Sequence, residues 1–489
     1  MAFFYAQKRG RPADGNGRRK TLPKIRAGRY NATGGSPRQE DFPKGQKRVD
    51  WTGKGSNAVR RYAAAWMVVG VVVSAGRVWA GDWPGFRGPG ARGVSEQTGL
   101  ALTWSDTENL AWKTPLPGPG SSSPIVFGDR IYVTCYSGYG LDPNEPGDQS
   151  RLERHLVCIR AADGELLWDA VVPAVLPEEP YRGMLREHGY ASQTPVTDGK
   201  RIYVFFGKTG VLAFDPNGKQ LWQTSVGTRT DQKRWGAATS LALHNNLVFV
   251  NAWDESKALY ALDARTGREV WRKDMSETGL SFSTPIVAEQ ADGRAELIVS
   301  VPSVVWGLDP QTGGQLWSAR TGIDDDMIPS PVVHDGVAYI HGGGPRHHGS
   351  LAVRLGGRGD VTDTHIVWSA KNVASPPSPV IVDGLMYWVD AYGQACCVET
   401  ATGALRSREK LPVVERFAVY ASAVAAEGRI YVVTRKGGTF VLPARPELQI
   451  LAHNQFASDP GDFNASPAIS NHRFFLRSNR FLYCIKEVP

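Results

Sequence analysis

The chain has 489 residues, of which 42% are hydrophobic and 21% charged, the composition of a globular protein rather than a fibrous or low-complexity one. Its net charge of +8 is unevenly placed: residues 1–61 hold sixteen Lys/Arg against four Asp/Glu, and the rest of the chain is mildly acidic. Basic proteins often bind nucleic acid, but here the basicity is confined to a leader, which argues against a nucleic-acid-binding body.

Residues 1–58 are rich in Gly, Arg, Lys and Pro and read as a disordered leader. After Arg60-Arg61 comes an apolar run at 63–75, too short for the roughly 20 residues of a membrane span. Val78-Trp79-Ala80 follows, with small residues where a signal peptidase needs them. The pattern predicts a secretory signal cleaved after Ala80, with an uncleaved anchor as the alternative. A start codon placed too far upstream would account for the long leader. No Leu-x-x-Cys follows the apolar run, so neither a lipid anchor nor an integral span is expected. The domain reading is therefore 1–80 leader plus signal and 81–489 folded body. Five cysteines (Cys135, Cys158, Cys396, Cys397, Cys484) are an odd number, which does not make a disulfide framework in an exported protein.

Within the body one phrase keeps returning. "ALDARTGREVW" occupies residues 261–271 and "GLDPQTGGQLW" residues 307–317. "CIRAADGELLW" (158–168) and the shorter "AFDPNGKQLW" (213–222) are variants. A second phrase precedes each: a Ser/Thr step, often with Pro, then an apolar stretch, a turn and an alternating strand. It starts at Ser122, Gln193, Thr239, Ser283, Pro329, Pro377, Ala421 and Ala465, which makes eight copies. Period-2 alternation between turn residues gives four short strands per unit. Four-stranded units of about 40–50 residues predict a β-propeller. The eighth copy ends at "LYCIKEVP" without a fourth strand, whereas "NLAWKTPL" at 109–116 reads as a lone fourth strand with Trp112 in the tryptophan place. The expectation is an all-β, eight-bladed propeller of four-stranded antiparallel blades, closed by this N-terminal strand in the last blade. Such closure removes an open sheet edge. Seven blades is the alternative, because the seventh copy lacks the Asp…Gly…Trp phrase.

Asp263 is placed to accept backbone N–H groups across a turn. Gly267 supplies positive φ without steric cost. Trp271 is large and flat enough to wedge between blades, where burying it contributes several kcal/mol at roughly 25 cal/mol per Å². Asp309, Gly313 and Trp317 repeat the set, and Trp168, Trp222 and Trp112 share the tryptophan place. A site needed once would not be copied around the chain, so the phrase is architecture.

The pattern Ala-x-Asp-x-x-Thr-Gly-x-x-x-Trp resembles the tryptophan-docking motif of quinoprotein (PQQ-type) propellers. Residues 261–271 match it in full and 307–317 match except at Gly307. The resemblance covers about 100–489 and includes non-enzymatic relatives such as the outer-membrane assembly protein BamB. "DWPGFRGPGARGVS" at 82–95 and "HGYASQTPV" at 188–196 resemble exported propellers of planctomycete-type bacteria, some of which carry kinase names. No Gly-rich loop with a strand Lys, His-Arg-Asp loop or Asp-Phe-Gly supports a kinase here. The resemblance also draws attention to the adjacent pair Cys396-Cys397, since quinoprotein alcohol dehydrogenases use a vicinal disulfide over the cofactor. In this chain Cys397, Cys158 and Cys484 fall on the small-residue place of the phrase, which reads as core filling. Those enzymes also need a Ca²⁺ site and a general-base Asp, a set that cannot be placed in this sequence.

Long polar connections are where function concentrates on a rigid scaffold. Five stand out: 138–154, 176–192, 227–238, 322–330 and 341–350. Within them His188, Tyr190, Arg234 and Trp235 are candidates to stack on and hydrogen-bond a planar or sugar-like ligand, packing of a long loop being the competing reading. Asp324, Asp325 and Asp326 are candidates for Ca²⁺ or a cationic ligand, against a plain solvated acidic loop. Arg346 and His347 complete the candidate set. His341, His347 and His348 match no familiar zinc spacing, so no metal is expected. The functional expectation is a non-catalytic exported propeller that binds or scaffolds a protein, peptide or glycan in the cell envelope, without a cofactor. The alternative is a PQQ- and Ca²⁺-dependent alcohol or sugar oxidoreductase.

Overall fold

The computed structural model describes residues 81–290, 292–343, 348–371 and 375–487. The signal-peptide reading, Arg346 and His347 lie outside the described residues.

Eight sheets form the blades of a β-propeller. They span residues 125–173, 196–224, 242–274, 286–320, 332–370, 380–410 and 424–454, with 468–485 as blade 8. Each of the first seven runs outward through antiparallel strands in chain order. Blade 8 takes its fourth strand from Leu110–Pro115, which pairs antiparallel with Phe481–Ile485 in the register Trp112↔Cys484. The seventh repeat forms a full blade despite lacking the phrase, its fourth strand being the short Ala452–Asn454. Its junction with blade 8 is filled from outside the repeat. Trp104 is buried, lies 5.3 Å from the Phe474 ring and 6.4 Å from that of Tyr431, and its backbone N–H donates to Asn454 Oδ1 at 2.9 Å.

The docking phrase has one geometry at five junctions. The indole N–H of Trp112, Trp168, Trp222, Trp271 and Trp368 donates to a backbone carbonyl of the following blade: Ala161, Pro216, Ala264, Pro310 and Thr400, at 2.7–3.2 Å. The ring lies over the glycine of that blade's own phrase. At Gly313, which has φ +70, a Cβ would stand 2.6 Å from the Trp271 ring. The glycine is thus needed twice, for positive φ and for the close approach of an aromatic face. Asp263 Oδ1 accepts the N–H groups of Arg265 and Thr266 and the Thr266 hydroxyl, and Asp309 Oδ1 accepts those of Gln311 and Thr312.

Trp317 departs from this geometry. It is fully buried and its indole N–H donates to Glu296 Oε2 of its own blade at 2.8 Å. Gly307 is the cause: a Cβ there would stand 2.1 Å from the ring, so only glycine lets the indole fold back over its own sheet. The outer edge that is left takes a fifth strand, Gly359–Asp360, paired in parallel with Gln315–Arg320.

The five cysteines are free and buried. Cys396 packs with Tyr339 and Trp368, and Cys397 with Val419 and Leu442. Consecutive strand residues point to opposite faces, so the two thiols sit in different blade interfaces.

Candidate functional site

The innermost strands open on the Ser/Thr steps, and the structure gives these a role that the repeat pattern did not reveal. Ser123, Thr194, Ser240, Thr284, Ser330, Ser378, Ser422 and Ser466, one per blade, line a single cavity of about 200 Å³ at the mouth of the central channel. Each hydroxyl from Thr194 round to Ser466 accepts the backbone N–H of its counterpart in the preceding blade, at 2.9–3.1 Å. The result is a collar of hydroxyls, all at most 5% exposed.

The far end of the channel is stopped by the segment "DWPGFRGPGARGVS". Asp82 accepts the N–H of Gly128 in a hairpin turn of blade 1, Trp83 bridges Val126, and Val94 bridges Ala425 of blade 7. Between these points Phe86 reaches the cavity as part of its floor. The next residue, Arg87, is fully buried. Its Nη2 donates to the carbonyls of Arg92 and Pro379, the latter being the neighbour of collar Ser378. Its Nε and Nη1 have no partner among the described residues. Burial pushes its pKa down to about 9. A second buried arginine, Arg477, donates to the Ser122 carbonyl and hydroxyl beside collar Ser123, and to Cys135 Sγ. Burial and then Arg87 push His341 down to about 3; its Nε2 lies 3.3 Å from Met386 Sδ and its ring 5.5 Å from Trp388. It is a packed neutral histidine.

Over the mouth, the 176–192 connection acts as a strap. Its short helix Leu185–His188 crosses the opening, Glu187 pairs with Arg435 of blade 7, and Asn464 Nδ2 donates to the Glu187 carbonyl at 2.7 Å. His188 is held by Ser192 Oγ at 2.6 Å and the Trp235 carbonyl at 2.9 Å, and burial lowers its pKa. Trp235 stacks on Phe282 at 5.9 Å, and all three rings line the cavity. Tyr190 does not: it is buried, and its hydroxyl donates to the Glu179 carbonyl at 2.6 Å. Its ring packs against Tyr136, Tyr139 and Tyr181 and lines the neighbouring cleft instead.

Beside the cavity, connections from blades 1, 2 and 3 are joined by buried charges. Arg154 pairs with Glu178, and Lys208 Nζ with Glu179 Oε1 at 3.0 Å. Arg234, largely exposed, approaches Glu179 at 3.8 Å. Asp254 and Glu255 on the short helix Trp253–Ser256 line the same cleft. Burial, with Asp231 and Glu179 nearby, raises Asp254 to about 6; burial and then Asp254 raise Glu255 well above the usual carboxylate range. The acidic triplet is not a plain solvated loop. Asp326 pairs with Lys233, whose ammonium lies 4.8 Å from the Trp235 ring centre, and Asp325 Oδ1 accepts the Asp326 N–H. Asp324 is exposed. So His188, Arg234, Trp235 and Asp326 share one face with the cavity.

The residues present do not fit PQQ with Ca²⁺. The cavity lining contains no carboxylate, and no group of three or more His, Cys, Asp or Glu among the described residues could hold a metal ion. Hard cations need several oxygen ligands, carboxylates foremost. No helix among the described residues is long and apolar enough to cross a membrane.

Residues 65–234 match the family model described as outer membrane protein assembly factor BamB. The chain is 21% identical over 308 residues to tetrathionate hydrolase of Acidithiobacillus ferrooxidans, covering 58% of this chain and 57% of that protein. It is 24% identical over 260 residues to polyvinylalcohol dehydrogenase of a Pseudomonas species (49% and 34%). With BamB of Alkalilimnicola ehrlichii it shares 27% over 226 residues (45% and 48%). The matches thus span between a third and just over half of these relatives' lengths. Among solved structures, BamB from Moraxella catarrhalis superimposes with a TM-score of 0.54 at 12% identity, covering 77% of this chain and 99% of that one.

Proposed function

We propose that this chain, which belongs to the PQQ-type, BamB-like repeat family, is a non-catalytic exported propeller that holds a protein, peptide or glycan partner in the cell envelope on its loop-rich face. The observation that carries the reading is the platform over blades 1–3. The long 176–192 connection is bound to Arg154 of blade 1 by Glu178, to Lys208 in a short turn of blade 2 by Glu179, and to the 227–238 connection by the Thr230 hydroxyl, which donates to Glu179 Oε1 at 2.6 Å, with Arg234 and Trp235 at the rim. A rigid surface with an exposed Arg and a Trp has the composition of a recognition face, because little side-chain freedom is lost on binding. The curated relatives include proteins named as enzymes, a hydrolase and a dehydrogenase, as well as BamB. Against the oxidoreductase alternative stands the cavity lining, which supplies neither a carboxylate base nor a Ca²⁺ ligand set.

Two measurements test the reading. Pull-down from envelope extracts is expected to recover a partner with the native chain and to lose it with Arg234→Glu/Trp235→Ala, while the thermal transition is kept. Thermal unfolding is expected to show no shift that needs PQQ and Ca²⁺ together. A rise of several degrees that needs both additions would overturn the proposal in favour of the oxidoreductase.

A further inference from the structure

The collar leaves protons unspent. A hydroxyl has one donor and two acceptor positions. Seven collar oxygens use an acceptor position for a neighbouring blade's N–H, and none of the eight hydroxyls donates to any described residue. Eight buried O–H donors therefore surround one cavity. The lining offers little to receive them: it has no Asp or Glu, His188 is engaged on both ring nitrogens, and one amide oxygen, Asn464 Oδ1, stands without a partner.

A second and independent observation concerns charge. Arg87 and Arg477 are fully buried, each bonded to a residue adjacent to the collar, three blades apart on the ring (blade 6 and blade 1). Neither forms an ion pair with a carboxylate among the described residues, and Nε of both, with Nη1 of Arg87, lacks an acceptor. Buried guanidinium groups without a counter-charge are costly, and a bound anion offsets that cost. A neutral sugar would satisfy the hydroxyls but not the charge, and a cation would meet the wrong field.

We propose that the collar is an oxyanion site: a carboxylate or phosphate group seated in the channel cavity accepts hydroxyl protons directly or through water and lies in the field of Arg87 and Arg477. Charge-assisted O–H···O⁻ bonds of this kind are short and strong. The apolar upper walls, Phe282, Trp235 and Ile328, would cover whatever carries the group. This goes beyond the partner reading and stands whether or not the outer face meets a protein.

The test is isothermal titration of the full chain in Tris chloride with inorganic phosphate, with succinate, and with an acidic pentapeptide in free-acid and C-terminally amidated forms. At least one oxyanion is expected to bind saturably at one site per chain. Arg87→Gln is expected to weaken it at least tenfold. Ser378→Ala and Ser422→Ala are expected to weaken it several-fold, while Ser378→Thr, which keeps the hydroxyl and copies positions 194 and 284, restores it. The Thr variant and Arg87→Gln keep the question open to disproof if an Ala variant fails to fold. Phosphate or succinate tighter than the peptide assigns a free small anion; a peptide that is tighter and loses binding on amidation assigns a chain terminus. Absence of saturable heat with every probe would overturn the proposal, as would an unchanged affinity in Arg87→Gln.

Discussion

Two devices join neighbouring blades, and they use opposite physics. The dock of Trp271 on blade 4 is apolar and neutral, with one indole hydrogen bond and a glycine beneath the ring. The platform over blades 1–3 is made of buried ionisable groups, four carboxylates against Arg154 and Lys208, with Asp254 raised to about 6 by burial first and then by the neighbouring Asp231 and Glu179. The dock recurs at five junctions and the platform occurs once. The dock gains stability from burial. The platform spends stability to hold an irregular surface, since a buried ionic cluster with surplus charge is a poor source of folding energy. A surplus of buried carboxylates with raised pKa values is the kind of feature that marks a functional face.

The largest test of this contrast is Trp271→Ala. Removing the ring takes away apolar burial and leaves a void between blades 3 and 4, and a loss of about 3–5 kcal/mol is expected from urea unfolding. Next comes Gly313→Ala, which places a methyl group against the ring and forces an L-residue to φ +70. A loss of about 1–3 kcal/mol is expected. In the Trp271→Ala background that loss should shrink, because the steric part of it needs the ring; equal losses in both backgrounds would break the account. Gly307→Ala is expected to cost about 1–3 kcal/mol by expelling Trp317 from its place over its own sheet, with a change in near-ultraviolet circular dichroism that Gly313→Ala should not match in shape.

The platform predicts the smallest effect and the opposite sign. Asp254 has a folded pKa near 6, above its unfolded value of about 3.8. The folded state therefore binds more protons between those values. Its contribution is fully present below pH 3.8 and is lost as pH rises through 6. Between pH 7 and pH 5 the native chain should gain about 1 kcal/mol relative to Asp254→Asn, which lacks this titration and keeps an acceptor for the Asp231 N–H. At pH 7 the Asn variant should be at least as stable as the native chain. A clear loss there would show that the ionised carboxylate supports the platform.

Much of the fold was legible because a propeller writes its junctions repeatedly. The eight Ser/Thr steps, the Asp-Gly turns and the orphan strand around Trp112 pointed to eight blades and their closure, with seven left open by the seventh copy. Three features were visible as letters but not as roles. The collar hydroxyls repeat in all eight copies, yet their bonds run between blades and exist only in the closed ring. Gly307 was seen to break the phrase, but the turn of Trp317 also depends on Glu296, which the phrase does not contain. Trp104 stands before the first repeat, and nothing local shows that it fills the junction between blades 7 and 8. Of the candidate site, His188, Arg234, Trp235 and Asp326 come to one face because blade-to-blade connections share an end of the disc. Tyr190 stands in the same connection and is buried, a difference set by its packing against Tyr136, Tyr139 and Tyr181. The arginines at 87 and 477 gave no signal, since burial of a charged residue is invisible until the walls around it are known.

The stopper in the channel has a consequence for how the molecule is made. Residues 82–95 find their seats on blades 1 and 7, and the strand at 110–115 finds its partner in the final twenty residues of the chain. The earliest part of the body to leave the ribosome is thus among the last to acquire its contacts. Trp83 meets Val126 early, but Arg87 waits for Pro379, Trp104 for Tyr431, Asn454 and Phe474, and the strand at 110–115 for Phe481–Ile485. A stop codon ahead of the last blade would therefore unseat both ends of the polypeptide together.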